Sequence, residues 1–398
     1  MKAAPSPILM LFLVVFVNMA GFGVVLPVFP FIGTALGADP AAVTLAMGTY
    51  SLGQFLGAPL WGKLSDRTGR RPVLLLCLVG SILAYVAMAF AHDILALGAA
   101  RLFAGLMAGN IGVAFAYAGD VSAPADRPKA MGILGAAFGL GFIMGPAIGG
   151  LIAGQNPGLA DFARVCWAGA ALTGVATLLV LALLRESLTP ERRAAVLAAG
   201  GGPGMGQLFG TKPVVIALMA LSFLMIGAAA MMETVFAIFV HDRFAWGARD
   251  VGLSFALFGV ITAGLQGGAA APLMRRFGAR AMAGAGIAAY GVGVAATALM
   301  PTPALMLVAS CVTAVGVGLF SPAYQVMVAD VSEDRDRGLI NGLTQGISSL
   351  GRFVGPAVSG SFYQGIGPAA PFLIGAGVMA VALLLLLSMR PKVAHAHP

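Results

Sequence analysis

In AAAMMETVFAIFV, residues 228–240, Glu233 is the one acidic residue placed far from the ends of an apolar run. A carboxylate in such surroundings is costly unless it pairs, faces water or takes a proton. Two arginines are set in the same way, Arg101 in ALGAARLFAG and Arg352 in SLGRFVGP. Three tasks are open to such a trio: loading and releasing a proton, recognising a charged ligand, or bonding between helices. Glu233 reads either as a protonation or cation-recognition site or as a structural carboxylate. Arg101 reads either as its relay partner or as a structural charge bonded to carbonyls of the first helix, and Arg352 divides between structural and coupling roles. No nucleophile–base spacing, phosphate loop or metal-ligand cluster accompanies them, so neither an enzyme nor a metal or cofactor site is expected.

The elements that carry these charges must be membrane helices. The 398 residues are 59% hydrophobic and only 10% charged, with a mean hydropathy of +0.95. A soluble core of this length cannot hide that much apolar surface, so the excess faces lipid. The 56 glycines fit close helix–helix contact in a bilayer. The net charge of +8 is confined to short links, with no basic stripe and no interleaved aromatics, which excludes a nucleic-acid partner. Cys77, Cys166 and Cys311 lie within apolar runs without ligand spacing and read as small buried hydrophobes. The first apolar run extends past Pro27 and reads as a retained helix rather than a leader.

With about 20 apolar residues needed per crossing, the chain divides into twelve spans. They fall at 8–32, 43–62, 72–91, 94–118, 129–153, 164–184, 213–240, 250–272, 281–300, 303–328, 338–362 and 368–389. The fold class is all-α. Residues 1–184 form one six-helix bundle, 185–212 (with GGPG at 201–204) a cytoplasmic linker, and 213–398 a second bundle with a short cytoplasmic tail. With the N-terminus inside, 18 of the 23 Lys and Arg fall in inner links and three, Arg164, Arg243 and Arg249, in outer ones. That bias orients a multi-pass protein of the inner (plasma) membrane with both termini cytoplasmic.

The halves repeat at an offset near 210. DVS recurs at 120–122 and 330–332, GPAIGG at 145–150 matches GPAVSG at 355–360, and LSDRTGRR at 64–71 has a weaker echo in LMRRFGAR at 273–280. Duplicated bundles facing one another create a midplane cleft, the geometry that alternating access requires.

Between spans 2 and 3 runs GKLSDRTGRRP, with five charges in eleven positions. Gly62 and Gly69 permit close packing and a tight turn, and Asp66 suits a helix N-terminus. Gly62, Leu64, Asp66, Arg67, Gly69, Arg70 and Arg71 resemble the G-x-L-a-D-r-x-G-r-k/r signature of the major facilitator superfamily. Arg101-x-x-x-Gly105 is similar to its helix-4 arginine motif. GAAFGLGFIMGPAIGG at 135–150 resembles the helix-5 motif of antiporters, and GFGVVLPVFP at 21–30 the first helix of the drug/proton antiporters, including the tetracycline exporters. The resemblance implies two pseudo-symmetric six-helix bundles. It also implies a gating latch of Gly62, Asp66, Gly69, Arg70 and Arg71, in which Asp66 meets the start of helix 11 in the outward-open state. One position departs: where the tetracycline exporters carry an acid on helix 1, this chain has Asn18. Coupling then moves to Glu233, or Asn18 binds substrate, or protons are not used.

Spacing of four puts Gly141, Gly145 and Gly149 on one face of helix 5, next to Pro146 and Gly150. That bare face is expected at the seam between halves, against helix 8. Asn18, Gln54, Asn110, Met231, Met232, Phe236, Gln266, Tyr324 and Gln325 are candidates for a mostly apolar cavity with few polar groups, which suits an amphipathic ligand. The expected function is proton-coupled export of small lipophilic or amphipathic compounds by a transporter that works as a monomer. A facilitator, symporter or lipid-type flippase is the alternative within transport, and a non-transporting receptor or scaffold the alternative outside it.

Overall fold

A computed structural model describes residues 7–123, 126–189, 193, 213–332 and 337–389, apart from the side chains of Pro128, Arg337 and Gly338. Most of the linker, the C-terminal tail and Lys2 lie outside the described residues. Within them are twelve long helices and no strand. They are α1 Pro7–Ala35, α2 Pro40–Thr68, α3 Arg70–Ala89, α4 Ile94–Val121, α5 Arg127–Ala153, α6 Leu159–Leu183, α7 Pro213–Phe244, α8 Ala248–Phe277, α9 Ala279–Leu299, α10 Pro303–Val331, α11 Arg337–Gly365 and α12 Ala370–Ser388. Each corresponds to one predicted span; most run past it at one or both ends, whereas α12 stops short of it at both. The helices continue into the polar layer, so Lys63, Asp66, Arg67 and Arg164 are helical rather than in links. Ten helices are long and apolar enough to cross a membrane; α2 and α11 are as long but more polar.

Local sequence explains the helix ends. Asp39 accepts from the Ala42 amide at 2.7 Å, and Pro40 takes the first position of α2. Asp93 caps α4 in the same way. Three helices are interrupted. α1 loosens at 26–28, ahead of Phe29, and α4 breaks at Gly109–Asn110. There the Leu106 carbonyl accepts the Trp61 indole at 2.6 Å beside a longer bond from the Gly109 amide at 3.3 Å. α8 contains a π-helical turn, Leu265–Ala269, a departure that recurs at functional sites.

The packing repeats with a shift of six. α1 lies on α5 and α6, as α7 lies on α11 and α12; α2 lies on α4, as α8 lies on α10; α3 lies on α6, as α9 lies on α12. Two seams join the halves, α2–α11 and α5–α8, and they too exchange under that shift. At the face opposite the Gly62–Arg71 link, here the far face, both seams are shut. The Arg249 amide donates to the Gly154 carbonyl at 3.0 Å, the Ala248 amide to Gln155 at 3.3 Å, and the Gly360 amide to Thr44 Oγ1 at 3.1 Å. At the link face a Cβ placed on Gly62, Gly132, Gly135, Gly268 or Gly342 would meet nothing within 4 Å. The bundle is closed at the far face and splayed at the link face.

Candidate functional site

Arg101, Glu233 and Arg352 lie within α4, α7 and α11, away from the helix ends. Arg101 is 3% exposed. Its guanidinium sits among three rings, with Cζ 4.8 Å from the Tyr50 centroid, 5.4 Å from Phe29 and 5.5 Å from Phe22. It donates no hydrogen bond among the described residues, and its Nε is buried without a partner. The rings supply what carbonyls were expected to supply: Phe22 and Phe29 hold it to α1 through cation–π attraction, worth about 2 kcal/mol or more once desolvated. Glu233 is half-buried and makes neither a hydrogen bond nor an ion pair among the described residues. Arg352 and Arg101 are the cations whose fields act on it, and Tyr50 lies in the fields of both arginines. Among the described residues no ion pair or hydrogen bond ties Glu233, Arg101 or Arg352, and Arg101 is held by rings alone. Sequence reasoning found the three charges but not the ring box, because the aromatics come from separate helices.

The link between α2 and α3 is a charge network within one half. Arg70 Nη1 donates to Asp66 Oδ1 at 2.6 Å and to Ser65 Oγ at 2.7 Å, and its Nε reaches Asp120 at 3.3 Å. Asp66 is therefore turned to Arg70 in this structure. Gly69 has φ +111°, and the Glu186 carboxylate fills the space where its Cβ would be. Glu186 accepts from the Arg70 and Arg71 amides at 2.8 and 3.1 Å, capping α3. Arg71 Nη2 donates to the Leu181 carbonyl. Gly62, expected in close packing, has open space beside it because the link face is splayed. Asp120 and Glu186 were missed, although Glu186 follows α6 directly and the DVS repeat marked Asp120.

The α5 motif divides its work differently from the expectation. Gly141 and Gly145 pack against α1: a Cβ on either would lie 2.6 Å from the Phe16 or Ala20 carbonyl, and Gly149 meets Val24 in the same way. A Cβ on Gly23, in the GFG of α1, would lie 2.7 Å from Pro146 Cδ. The glycine stripe thus seals α1 to α5 inside one half. The contact with α8 belongs to the next strip round the helix, where Gly150 faces the Ala248 carbonyl and Pro146 faces Gly252.

The cavity candidates separate into groups. Asn18 Nδ2 donates to Asn110 Oδ1 at 3.4 Å, with Val14, Leu74 and Ile111 around the pair at the break of α4. Met232 and Phe236 line a small apolar pocket with Ser254, Phe255, Phe258, Ser310 and Thr313 of α8 and α10. Met231 is buried against Gly375 of α12, away from the other candidates. Tyr324 donates to the Leu218 carbonyl at 3.1 Å and stacks on Phe320. Gln54 is half-buried, and Gln266, in the π-helical turn, and Gln325 are exposed.

The sequence matches the Major Facilitator Superfamily over residues 11–271 and 250–398. It is 34% identical to the class C tetracycline resistance protein of Escherichia coli, covering 92% of each chain. It is 31% identical to the class E protein of the same organism, over 96% of this chain and 95% of that one. The crystal structure of the human organic anion transporter MFSD10 (TETRAN) has the same fold, with a TM-score of 0.71, 23% identity and coverage of 95% and 98%. Twelve helices in a six-helix repeat, an Asp66–Arg70 link network and these relatives together establish the assignment: the chain belongs to the Major Facilitator Superfamily, a multi-pass membrane transporter of small molecules and not an enzyme.

Proposed function

We propose that this transporter exports small lipophilic or amphipathic compounds in exchange for protons, with Glu233 as the group that carries the proton. The observation that carries the reading is the state of Glu233: among the described residues it is the one carboxylate deep within a span, half-buried, in the field of Arg352 and Arg101 and bonded to neither. A carboxylate fixed in an ion pair cannot readily exchange a proton, whereas one held only by through-space attraction can. The relatives named tetracycline resistance proteins support export. Asn18 is occupied with Asn110 and cannot titrate, which leaves Glu233 to do so.

On this reading the link face is cytoplasmic, as the charge bias favours, both termini lie there, and the protein sits in the inner (plasma) membrane. Residues 1–184 and 213–398 rock as two units about the 185–212 linker, exposing the centre to each side in turn. A cationic substrate and a proton compete for Glu233, which produces exchange without a separate gate. The unit of function is one chain.

Purified protein in proteoliposomes tests this, with tetracycline and a panel of amphipathic cations as probes under an imposed pH gradient. Wild-type protein concentrates at least one probe. Glu233→Gln loses gradient-driven accumulation while keeping exchange of labelled for unlabelled probe. Accumulation by the mutant with unchanged pH dependence assigns the carboxylate to structure and moves coupling elsewhere.

A further inference from the structure

We propose that Phe236, Phe255 and Phe258 form a cage for the primary ammonium head of the substrate, the counterpart in the second half of the ring box that holds Arg101 in the first. The inference rests on the reading of the protein as an exporter of amphipathic compounds and narrows it to amines. The correspondence of positions comes from contacts that recur in both halves. Gly141 of α5 packs on Phe16 and Ala20 of α1, and Gly351 of α11 packs on Phe223 and Gly227 of α7. That shift of 207 along α1 and α7 carries Phe29 to Phe236. At the two seams Gly360 meets the Pro40 carbonyl and Gly150 the Ala248 carbonyl. That shift of 208 along α2 and α8 carries Tyr50 to Phe258. The caps of α4 and α10, Asp93 and Thr302, stand 209 apart, which carries Arg101 to Ser310. Phe236, Phe258 and Ser310 meet in space as well, since all three line one cavity of about 20 Å³. Two ring walls of the Arg101 box are thus repeated, with a serine at the position of the arginine. The shorter side chain accounts for the space. Phe255 of α8 supplies a third ring, its centroid 5.6 Å from that of Phe236.

The first half shows what such walls can hold. The Arg101 guanidinium lies 4.8–5.5 Å from three ring centroids, with no carboxylate bonded to it among the described residues. Ring faces attract a desolvated cation through their quadrupole. The second half adds acceptors. Ser254 donates its proton to the Val251 carbonyl at 2.7 Å, and Ser310 to the Met306 carbonyl at 3.0 Å. With those protons committed, both hydroxyls have only lone pairs left for a ligand. No lining residue is charged, so nothing in the cage repels a cation. The volume suits one water-sized group. An –NH3+ head meets that limit, and a trimethylammonium head exceeds it. Glu233 is not among the lining residues, so mutation can separate the cage from the carboxylate.

Calorimetric titration of purified full-length protein in lipid nanodiscs at pH 7 tests this with phenethylamine, its trimethylated form and the neutral phenethyl alcohol. Wild-type protein should bind the amine about tenfold more tightly than the other two. Phe258→Leu should remove that preference while alcohol binding persists. Ser310→Arg should place the chain's own cation in the cage, as Arg101 does in the first half, and exclude the amine. Thermal melts show which variants are folded, and Phe258→Leu decides alone if Ser310→Arg is not. Equal binding of the three probes by wild-type protein overturns the cage while leaving amphipathic compounds as substrates. An amine preference that survives Phe258→Leu also overturns it, and its loss in Glu233→Gln would then assign the ammonium to the carboxylate. Wild-type protein that binds none of the probes removes the reading of the substrate class, and this proposal falls with it.

Discussion

The Glu186 carboxylate accepts the Arg70 backbone amide at 2.8 Å, tying the exit of α6 to the entry of α3. The same carboxylate takes the Arg71, Ser187 and Leu188 amides, so four N–H groups converge on one side chain. Loss of a helix N-cap costs about 0.5–2 kcal/mol, and here the bend after α6 is lost with it. Glu186→Ala should lower the Tm of the purified protein, and Glu186→Gln should recover part of the loss. Thermal melts in detergent of matched preparations provide the check.

Asp66→Asn acts on the same corner differently. The charge of Asp66 is used on Arg70 with the link face splayed. Removing that charge leaves the Arg70–Asp120 and Arg70–Ser65 contacts in place. Folding and insertion should persist while transport falls several-fold. Flux at matched expression decides; wild-type rates would mean that Asp66 is not used when the link face closes.

Two glycines five residues apart on α5 should fail in different ways. A side chain at Gly145 runs into the Ala20 carbonyl of α1, inside one half, and overpacking there costs about 1–3 kcal/mol or more. Gly145→Leu should therefore lose expression and Tm. A side chain at Gly150 runs into Ala248 of α8, across the seam. Gly150→Leu should fold and hold the far face ajar, so that cysteines introduced beside Gln155 label faster from that side. Equal labelling of Gly150→Leu and wild type would show that the seam tolerates the side chain.

Trp61→Phe tests the break in α4. The indole gives the Leu106 carbonyl its shorter bond, and its loss leaves only the 3.3 Å bond from the Gly109 amide, at a cost of about 1 kcal/mol. A lower Tm and faster hydrogen exchange around residues 106–110 are the expected results.

The helices could be read from the sequence because each is a run of apolar residues bounded by polar or glycine breaks, and the link network because Asp66, Arg70 and Arg71 are close in the chain. The charged trio was legible for the same reason: a charge inside an apolar run is conspicuous wherever it lands. What could not be read was direction. The Gly141–Gly145–Gly149 stripe announced a close contact but not which helix makes it, and α1 rather than α8 receives it. Nor does any local pattern mark Phe22, Phe29 and Tyr50 as walls for Arg101, since apolar runs contain aromatics everywhere. Met231 and Met232 are adjacent in sequence, yet they part by a helical step, one toward α12 and the other toward α8 and α10.

The two far-face seams descend from one ancestral contact but are not equally strong. α2 begins with its own Asp39 cap and a proline, so parting it from α11 uncovers little of its first turn. α8 begins at Gly247 and has no such cap for Ala248 and Arg249; the amides of both are answered by the Gln155 and Gly154 carbonyls of the opposite half. Parting α5 from α8 strips a helix of its terminus, and only arriving water can replace what was lost. The duplication thus left a weak hinge and a strong one, and the molecule should open as a door does, α2 leaving α11 first and the α5–α8 edge last.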